Sequence, residues 1–347
     1  MNTKLMGNIL SQPRELIGSL KHTLGPGRAS LDRAARILKD AQHVFITGIG
    51  SSWHAGMAVQ SIFAAAGRPA QLVDASELLH FTTLPANSAI IALSRSGKSV
   101  EIVKLFDKAA AANASVVGVT NTPDSPLGKR ADAALHLSAA FDHNISITMY
   151  SALTLVGGLA AAASVGQNVS DLAPALEQSL LAADAAIQSW RDQAESSSWF
   201  EGAVPAYLLA RGAGMASASE TRLLWEEGAK APACAMTTGG FRHGPQEIIY
   251  SKTHVGLWLD QKVLREQDLS LIADIRRKGV KTMIIGQNVP GDAADLVFQV
   301  PAAPQGWQFL VDIIPGQIAA ERLARLRKVD CDNFLYCPYI IDKEGGL

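Results

Sequence analysis

Short apolar runs that end in small residues and lead into helical stretches recur along this chain, and they recur twice at the same spacing. In the first half HVFITGIG (43–50) is followed by AQLVDA (70–75), SAIIALS (88–94), SVVGVT (115–120) and AALHL (133–137). Measured from Val44, the last three begin about 45, 71 and 89 residues on. In the second half PAYLLARG (205–212) is followed by HVGLWLD (254–260), KTMIIGQ (281–287) and LVFQV (296–300). Measured from Ala206, these begin about 48, 75 and 90 residues on. Strands alternating with helices give βαβ units and a parallel sheet covered by helices on both faces. Two copies of one period mean two copies of one module. The expected fold class is therefore α/β, as two tandem three-layer α/β/α modules.

The expected boundaries are a helical segment at 1–40, a first module at 41–190, and a second at 200–347 with its helix and tail. Leu31, Ala34, Ala35 and Leu38 recur at helical spacing in the first segment. The join is the polar stretch 188–203. Residues 308–329 read as a long amphipathic helix broken at Pro315-Gly316 and packed across the second module.

Composition removes several classes. With 347 residues and 48% hydrophobic content, the chain has ample apolar material to offset chain entropy, and disorder is excluded. Lys and Arg total 31 against 32 Asp and Glu, which argues against a nucleic-acid partner held by bulk positive charge. Cys234, Cys331 and Cys337 form no CxxC and no disulfide framework, so a reducing cytoplasm is expected. Residues 146–166 carry no charge and are long enough to span a bilayer, but they are rich in Ser, Thr, Gly and Ala. They read as a buried helix, and no membrane partner is expected.

Three motifs carry chemistry. Gly48-Ile49-Gly50-Ser51-Ser52-Trp53 follows a strand. It falls short of a dinucleotide fingerprint, because Trp53 stands where a small residue is needed and Asp74 lies too far on. The simpler reading is a turn whose amides and hydroxyls face an anion or a sugar. Ser94-Arg95-Ser96-Gly97-Lys98-Ser99 also follows a strand and offers what a phosphate needs: hydroxyl and backbone donors, positive charge and an unblocked glycine. It is not a Walker loop. The plain alternative is a serine-rich helix cap with solvated charges. At the carboxyl edge of one sheet, beside the first loop, the phosphate reading gains. The third motif is Glu220 to Glu227 followed by Phe241-Arg242-His243-Gly244-Pro245. Glu220 and Glu227 are seven apart and share a helix face, while Arg222 and Glu226 fit a solvated pair. A carboxylate facing a pocket, with a histidine on a Gly-Pro turn, suits general acid–base work.

Together these residues resemble the double sugar-isomerase-domain (SIS) family, in particular the isomerase half of glucosamine-6-phosphate synthase, SIS-type glucosamine-6-phosphate deaminases and fructosamine-6-phosphate deglycases. GIGSSWHAGM (48–57), LSRSGKSVE (93–101) and ETRLLWEEGAK…GGFRHGP (220–245) carry the resemblance, which covers about residues 20–335. It implies two SIS domains and a phosphosugar ligand. Gly50, Ser51 and Ser52 lie on the first sugar-phosphate loop and Ser94, Arg95, Ser96 and Ser99 on the second. Arg95 and Lys98 stand where Gln and Glu are usual, and both add positive charge. Glu227 matches the residue that moves a proton between C1 and C2, and His243 the one that assists ring opening, usually from the partner subunit. The resemblance therefore implies a homodimer with shared sites, no metal and no cofactor.

The departures are equally specific. A lysine three residues before the catalytic glutamate is replaced by Leu224, a Ser-Thr-Lys stretch by Ile147-Thr148-Met149, and a tail lysine by Tyr339, with Lys343 nearby. Lys98, Glu220, Tyr339 and Lys343 are further site candidates. His143 and Asn144 are placed to line the pocket but read as loop residues. With no glutaminase segment before residue 20, glutamine-dependent synthesis is not expected. The expected function is isomerisation of a hexose- or hexosamine-6-phosphate, with or without amine release. The alternatives are a fructosamine-6-phosphate deglycase, a non-catalytic sugar-phosphate sensor, and a nicotinamide oxidoreductase resting on the glycine turn alone.

Overall fold

The structure is a computed structural model that describes residues 2–202, 205–250, 252–343 and 345. The chain runs through α1 (Lys4–Leu24), α2 (Arg28–Asp40), β1 (His43–Gly48), α3 (Ser51–Ala65), β2 (Gln71–Asp74), α4 (Ala75–His80), β3 (Ser88–Leu93), α5 (Val100–Ala111), β4 (Ser115–Thr120), α6 (Pro126–Arg130), β5 (Ala133–His136), α7 (Thr148–Ser164) and α8 (Val169–Ser196). It continues through β6 (Ala206–Ala210), α9 (Gly214–Glu227), β7 (Ala233–Thr237), α10 (Thr238–Arg242), β8 (His254–Trp258), α11 (Arg265–Arg277), β9 (Lys281–Gly286), β10 (Leu296–Gln299) and α12 (Phe309–Arg327). Two compact units result: residues 11–177 with 335–347, and residues 1–10 with 178–334. The tail from 335 to 343, read above with the second module, belongs to the first unit. The first turns of α1, read above as part of a separate helical segment at 1–40, belong to the second unit.

Each unit holds a parallel five-stranded sheet, and the two orders are the same: β2-β1-β3-β4-β5 and β7-β6-β8-β9-β10. The duplicated spacing in the sequence is thus a duplicated topology. In the first unit β3 is buried along its whole length, as expected of a central strand covered on both faces. Phe45, Ile90, Ala92 and Val116 meet α4, α5 and α6 through Leu78, Leu105, Phe106 and Leu127 on one face. On the other face α3 and α7 pack together and α2 lies against α7. Burying each large aliphatic side chain contributes about 1.5–3 kcal/mol relative to exposing it.

The uncharged 146–166 stretch forms α7, which is buried on nearly every side, as a helix apolar all round must be. Among its polar groups, Ser151 Oγ donates to Gln12 Oε1 of α1 at 2.8 Å, and Thr154 and Ser164 donate to carbonyls three residues back. Among the described residues, no helix is long and apolar enough to cross a membrane.

In the second unit Leu209, Val255, Leu257 and Ile284 pack with Phe241 of the α10 side and Ile272 and Ile275 of α11. The opposite face carries α9 and α12. One expectation is corrected here: α12 is continuous through Pro315-Gly316. Proline removes one amide, but packing holds the helix. At Gly316 a Cβ would lie 2.3 Å from Thr221 Oγ1, so the glycine is a close-approach site against α9 and not a breaker. The sequence also gave no sign of β7. Ala233–Thr237 is a short edge strand without a β-branched run, recognised only by its register beside β6. The polar join 188–203 is largely the end of α8.

Candidate active site

In the first unit the strand order reverses between β1 and β3, and the crevice outside their carboxyl ends is where open α/β sheets bind ligands. Both serine loops open there. After β1, Gly50 takes φ +57°, and Ser51 and Ser52 start α3 half-buried. After β3, Ser94 and Ser96 are buried, and their hydroxyl oxygens accept from the amides of Gly97 (3.1 Å) and Lys98 (3.2 Å). The carbonyl of Arg95 accepts from the Asn121 amide and from Thr120 Oγ1 and Thr122 Oγ1. The loop is therefore fixed by its backbone, while the serine hydroxyl protons remain to donate.

Ser99 stands at the N-cap of α5, yet its side chain takes no helix amide. The hydroxyls of Ser51 and Ser52 likewise make no hydrogen bond among the described residues, while the Ser52 amide donates to Ile49 O at 3.1 Å. A purely structural serine cap would have spent these hydroxyls. Gly97 has φ +61°, and a Cβ there would sit 2.1 Å from Ser125 Oγ, so no side chain fits at the centre of the loop.

The two cations of the loop diverge. Lys98 is exposed. Arg95 is turned to neighbouring backbone: Nη1 donates to Asn144 O at 2.9 Å and Nη2 to Tyr339 O at 3.3 Å, with the guanidinium carbon 4.2 Å from the Tyr339 ring centre. His143 and Lys343 are exposed. Asn144 meets the loop through its carbonyl.

Asp142 is a residue that sequence reading missed. Its buried carboxylate accepts from the amides of Ile147, Thr148 and Met149, each at 2.9 Å, and so closes the start of α7. Burial pushes its carboxyl up, and the three amides pull the other way. The ordinary capping signal is an Asp two or three residues before the amides it serves. Here the offsets are five to seven, so no local pattern could reveal it.

The second unit carries Glu227 and His243. Glu227 ends α9 and is half-buried, whereas Glu220, on the same helix, is wholly buried. Arg222 Nη1 pairs with Glu226 Oε2 at 2.5 Å, as the spacing predicts. Lys230 bonds the carbonyl of Glu227, and that of Asn333 at 3.0 Å. Desolvation lowers its amine, opposed by the charges of Asp330 and Glu227. Thr237 caps α10 by accepting from Gly240 N at 3.0 Å, and His243 follows it, exposed, before Gly244 at φ +133°. β7 and α10 thus connect the two residues through a short, capped path.

The equivalent crevice of the second unit, between β6 and β8, is filled differently. Arg211, directly after β6, bonds Asp268 of α11 at 2.8 Å, and Asp268 is wholly buried. Burial raises the Asp268 carboxyl, and Arg211 pulls it back. Where the first module offers hydroxyls, the second neutralises itself with an ion pair. Among the described residues no group of three His, Cys, Asp or Glu is placed to hold a metal ion.

Residues 37–163 match the family model described as "SIS domain". The chain is 25% identical over 337 residues to a glutamine–fructose-6-phosphate aminotransferase (isomerizing) of Pyrobaculum aerophilum, covering 95% of this chain and 56% of that protein. It therefore spans little more than half the length of the curated relatives it matches. Among solved structures it superposes on the C-terminal domain of glucosamine-fructose-6-phosphate aminotransferase from Francisella tularensis, with TM-score 0.87, 20% identity, and coverage of 95% of this chain and 98% of the other. It also superposes on a glucosamine-6-phosphate deaminase from Thermotoga maritima, with TM-score 0.82, 17% identity, and coverage of 98% and 99%. Residues 37–163 thus match a SIS domain, and the chain as a whole shares the duplicated α/β fold of these solved structures.

Proposed function

We propose that the chain binds a hexose- or hexosamine-6-phosphate and interconverts aldose and ketose forms by proton transfer, with or without release of an amine. The observation that carries this is the set of unspent hydroxyls on Ser51, Ser52 and Ser99 at the carboxyl edge of the first sheet, beside the buried Ser94 and Ser96. Neutral donors of this kind, with α5 beginning at the same point, suit a phosphate monoester. Glu227 is the base that takes the proton from one carbon and, as the acid, returns it to the next. His243 assists ring opening. Such positioned proton transfer contributes roughly 10²–10⁴-fold in rate. The exposure of His243 on its turn, with Ile248 and Tyr250 exposed beside it, supports a homodimer in which His243 serves a second copy of the chain.

Leu224 and Tyr339, at positions where the aminosugar relatives carry lysines, favour a Glu/His pair working alone and keep a fructosamine-6-phosphate among the candidate substrates. The test is a thermal-shift panel of glucosamine-6-phosphate, fructose-6-phosphate, galactosamine-6-phosphate and a fructosamine-6-phosphate, followed by turnover of each hit. A ligand that binds only the folded state raises the melting temperature, increasingly so as its concentration exceeds Kd. Glu227→Gln is expected to abolish turnover while retaining the shift. Binding without turnover in the parent protein would leave a sugar-phosphate sensor, and no shift with any sugar would remove the phosphate reading of the loop.

A further inference from the structure

The last residues of the chain cross the serine loop and take donors that a phosphate would use. Arg95 donates to Tyr339 O and lies over the Tyr339 ring. The amide of Val100, the first residue of α5, donates to Ile341 O at 3.3 Å. A guanidinium beside the loop and a first-turn amide are what an incoming dianion seeks. Both are held here by neutral carbonyl oxygens of the tail, and a phosphate oxygen makes shorter and stronger bonds to such donors than a carbonyl does. The tail is also lightly attached: Leu335 and Tyr336 are 66% and 82% exposed.

We propose that the tail, residues 335–341, and the phosphate of the substrate compete for Arg95 and the start of α5, so that Tyr339 is a self-latch on the site. This rests on the phosphate reading of the Ser94–Ser99 loop. Phosphate draws Arg95 from Asn144 O and Tyr339 O toward its own oxygens, the stacking on Tyr339 is lost, and the tail lifts. Tyr339→Ala removes the ring and leaves Arg95 in place, so it loosens the latch without touching the phosphate donors.

The experiment uses the full-length protein and its own reporter. Cys337 is the exposed thiol in the tail, while Cys331 is buried, with its thiol pushed up to about 11 mainly by burial, and Cys234 is half-buried and raised by desolvation. A fluorophore on Cys337 is followed by anisotropy as inorganic phosphate, and then each sugar phosphate, is added. Affinity is measured in parallel by calorimetry for the parent and Tyr339→Ala. The expected result is falling anisotropy on ligand addition and roughly two- to five-fold tighter binding by Tyr339→Ala, the scale of one exposed cation–π contact, since the backbone carbonyl that accepts from Arg95 is retained. Equal or weaker binding by Tyr339→Ala, or rising anisotropy, overturns the latch while leaving the phosphate site intact. Failure of both proteins to bind any of these anions overturns the loop reading and the latch together.

Discussion

Ser217 on α9 donates its hydroxyl to the carboxyl of Asp312 on α12 at 2.5 Å, and the Asp312 side chain is closed off from water. The Trp258 indole N–H bonds the Asp312 carbonyl at 3.0 Å, so the same residue ties α12 to the end of β8. Burial pushes the Asp312 carboxyl up to about 8 from its ordinary 3.8, with Ser217 pulling it partly back. The neutral acid therefore belongs to the folded protein. Its contribution is complete below about pH 4 and is lost as pH rises through about 8. Asp312→Asn keeps the size and the acceptor for Ser217. It should match the parent's melting temperature near pH 4 and exceed it at pH 8. A Tm-against-pH comparison that shows no divergence between the two proteins would mean Asp312 does not carry this dependence.

Asp142 serves three buried amides at the start of α7. Asp142→Ala strands them, and each unsatisfied buried group costs about 1–3 kcal/mol. The loss, measured by chemical denaturation, should fall near 2–4 kcal/mol after partial relaxation. Asp142→Asn, which keeps one acceptor oxygen, should lose less.

At Gly97 a methyl group would meet Ser125 at 2.1 Å on a backbone with φ +61°. Gly67 has a similar φ, +69°, with nothing within 4 Å. Gly67→Ala should therefore cost about 1 kcal/mol from backbone strain alone. Gly97→Ala should cost more and reduce phosphate affinity at least ten-fold, because the loop must move. Equal stability and affinity for the two variants would show that the loop accommodates a side chain.

The Arg211–Asp268 pair makes an asymmetric prediction. Arg211→Met leaves a buried carboxylate without its partner, and breaking such a pair from one side costs about 3–5 kcal/mol. Removing both charges, as Arg211→Met with Asp268→Leu, should recover most of that loss. A double variant as unstable as Arg211→Met would assign the effect to packing, and calorimetric melting of the three proteins decides it.

How much of this was legible follows from which interactions are local. The central strands were readable because a parallel sheet buried on both faces demands continuous apolar runs, and β1, β3, β4, β6, β8 and β9 supply them. The serine loops were readable because strand-to-helix turns place their residues at a fixed edge of the sheet. β7 escaped, since an edge strand of Ala, Cys, Met and Thr carries no periodic signal and is defined by its partner β6. α12 was misjudged because a Pro-Gly pair breaks a helix by local propensity, and only the approach of Thr221 on α9 shows what Gly316 is for.

The sequence by itself determined the duplicated α/β architecture and which residues stand at the carboxyl edges of the strands, because periodicity and turn chemistry act over a few residues. Tertiary structure alone decided where Arg95 points, which amides Asp142 serves, that Arg211 is neutralised by Asp268, and that Asp312 is held as an acid. Each of these depends on burial and on partners brought together from up to about 240 positions away in the chain. Desolvation and hydrogen-bond geometry exist only once those segments have met.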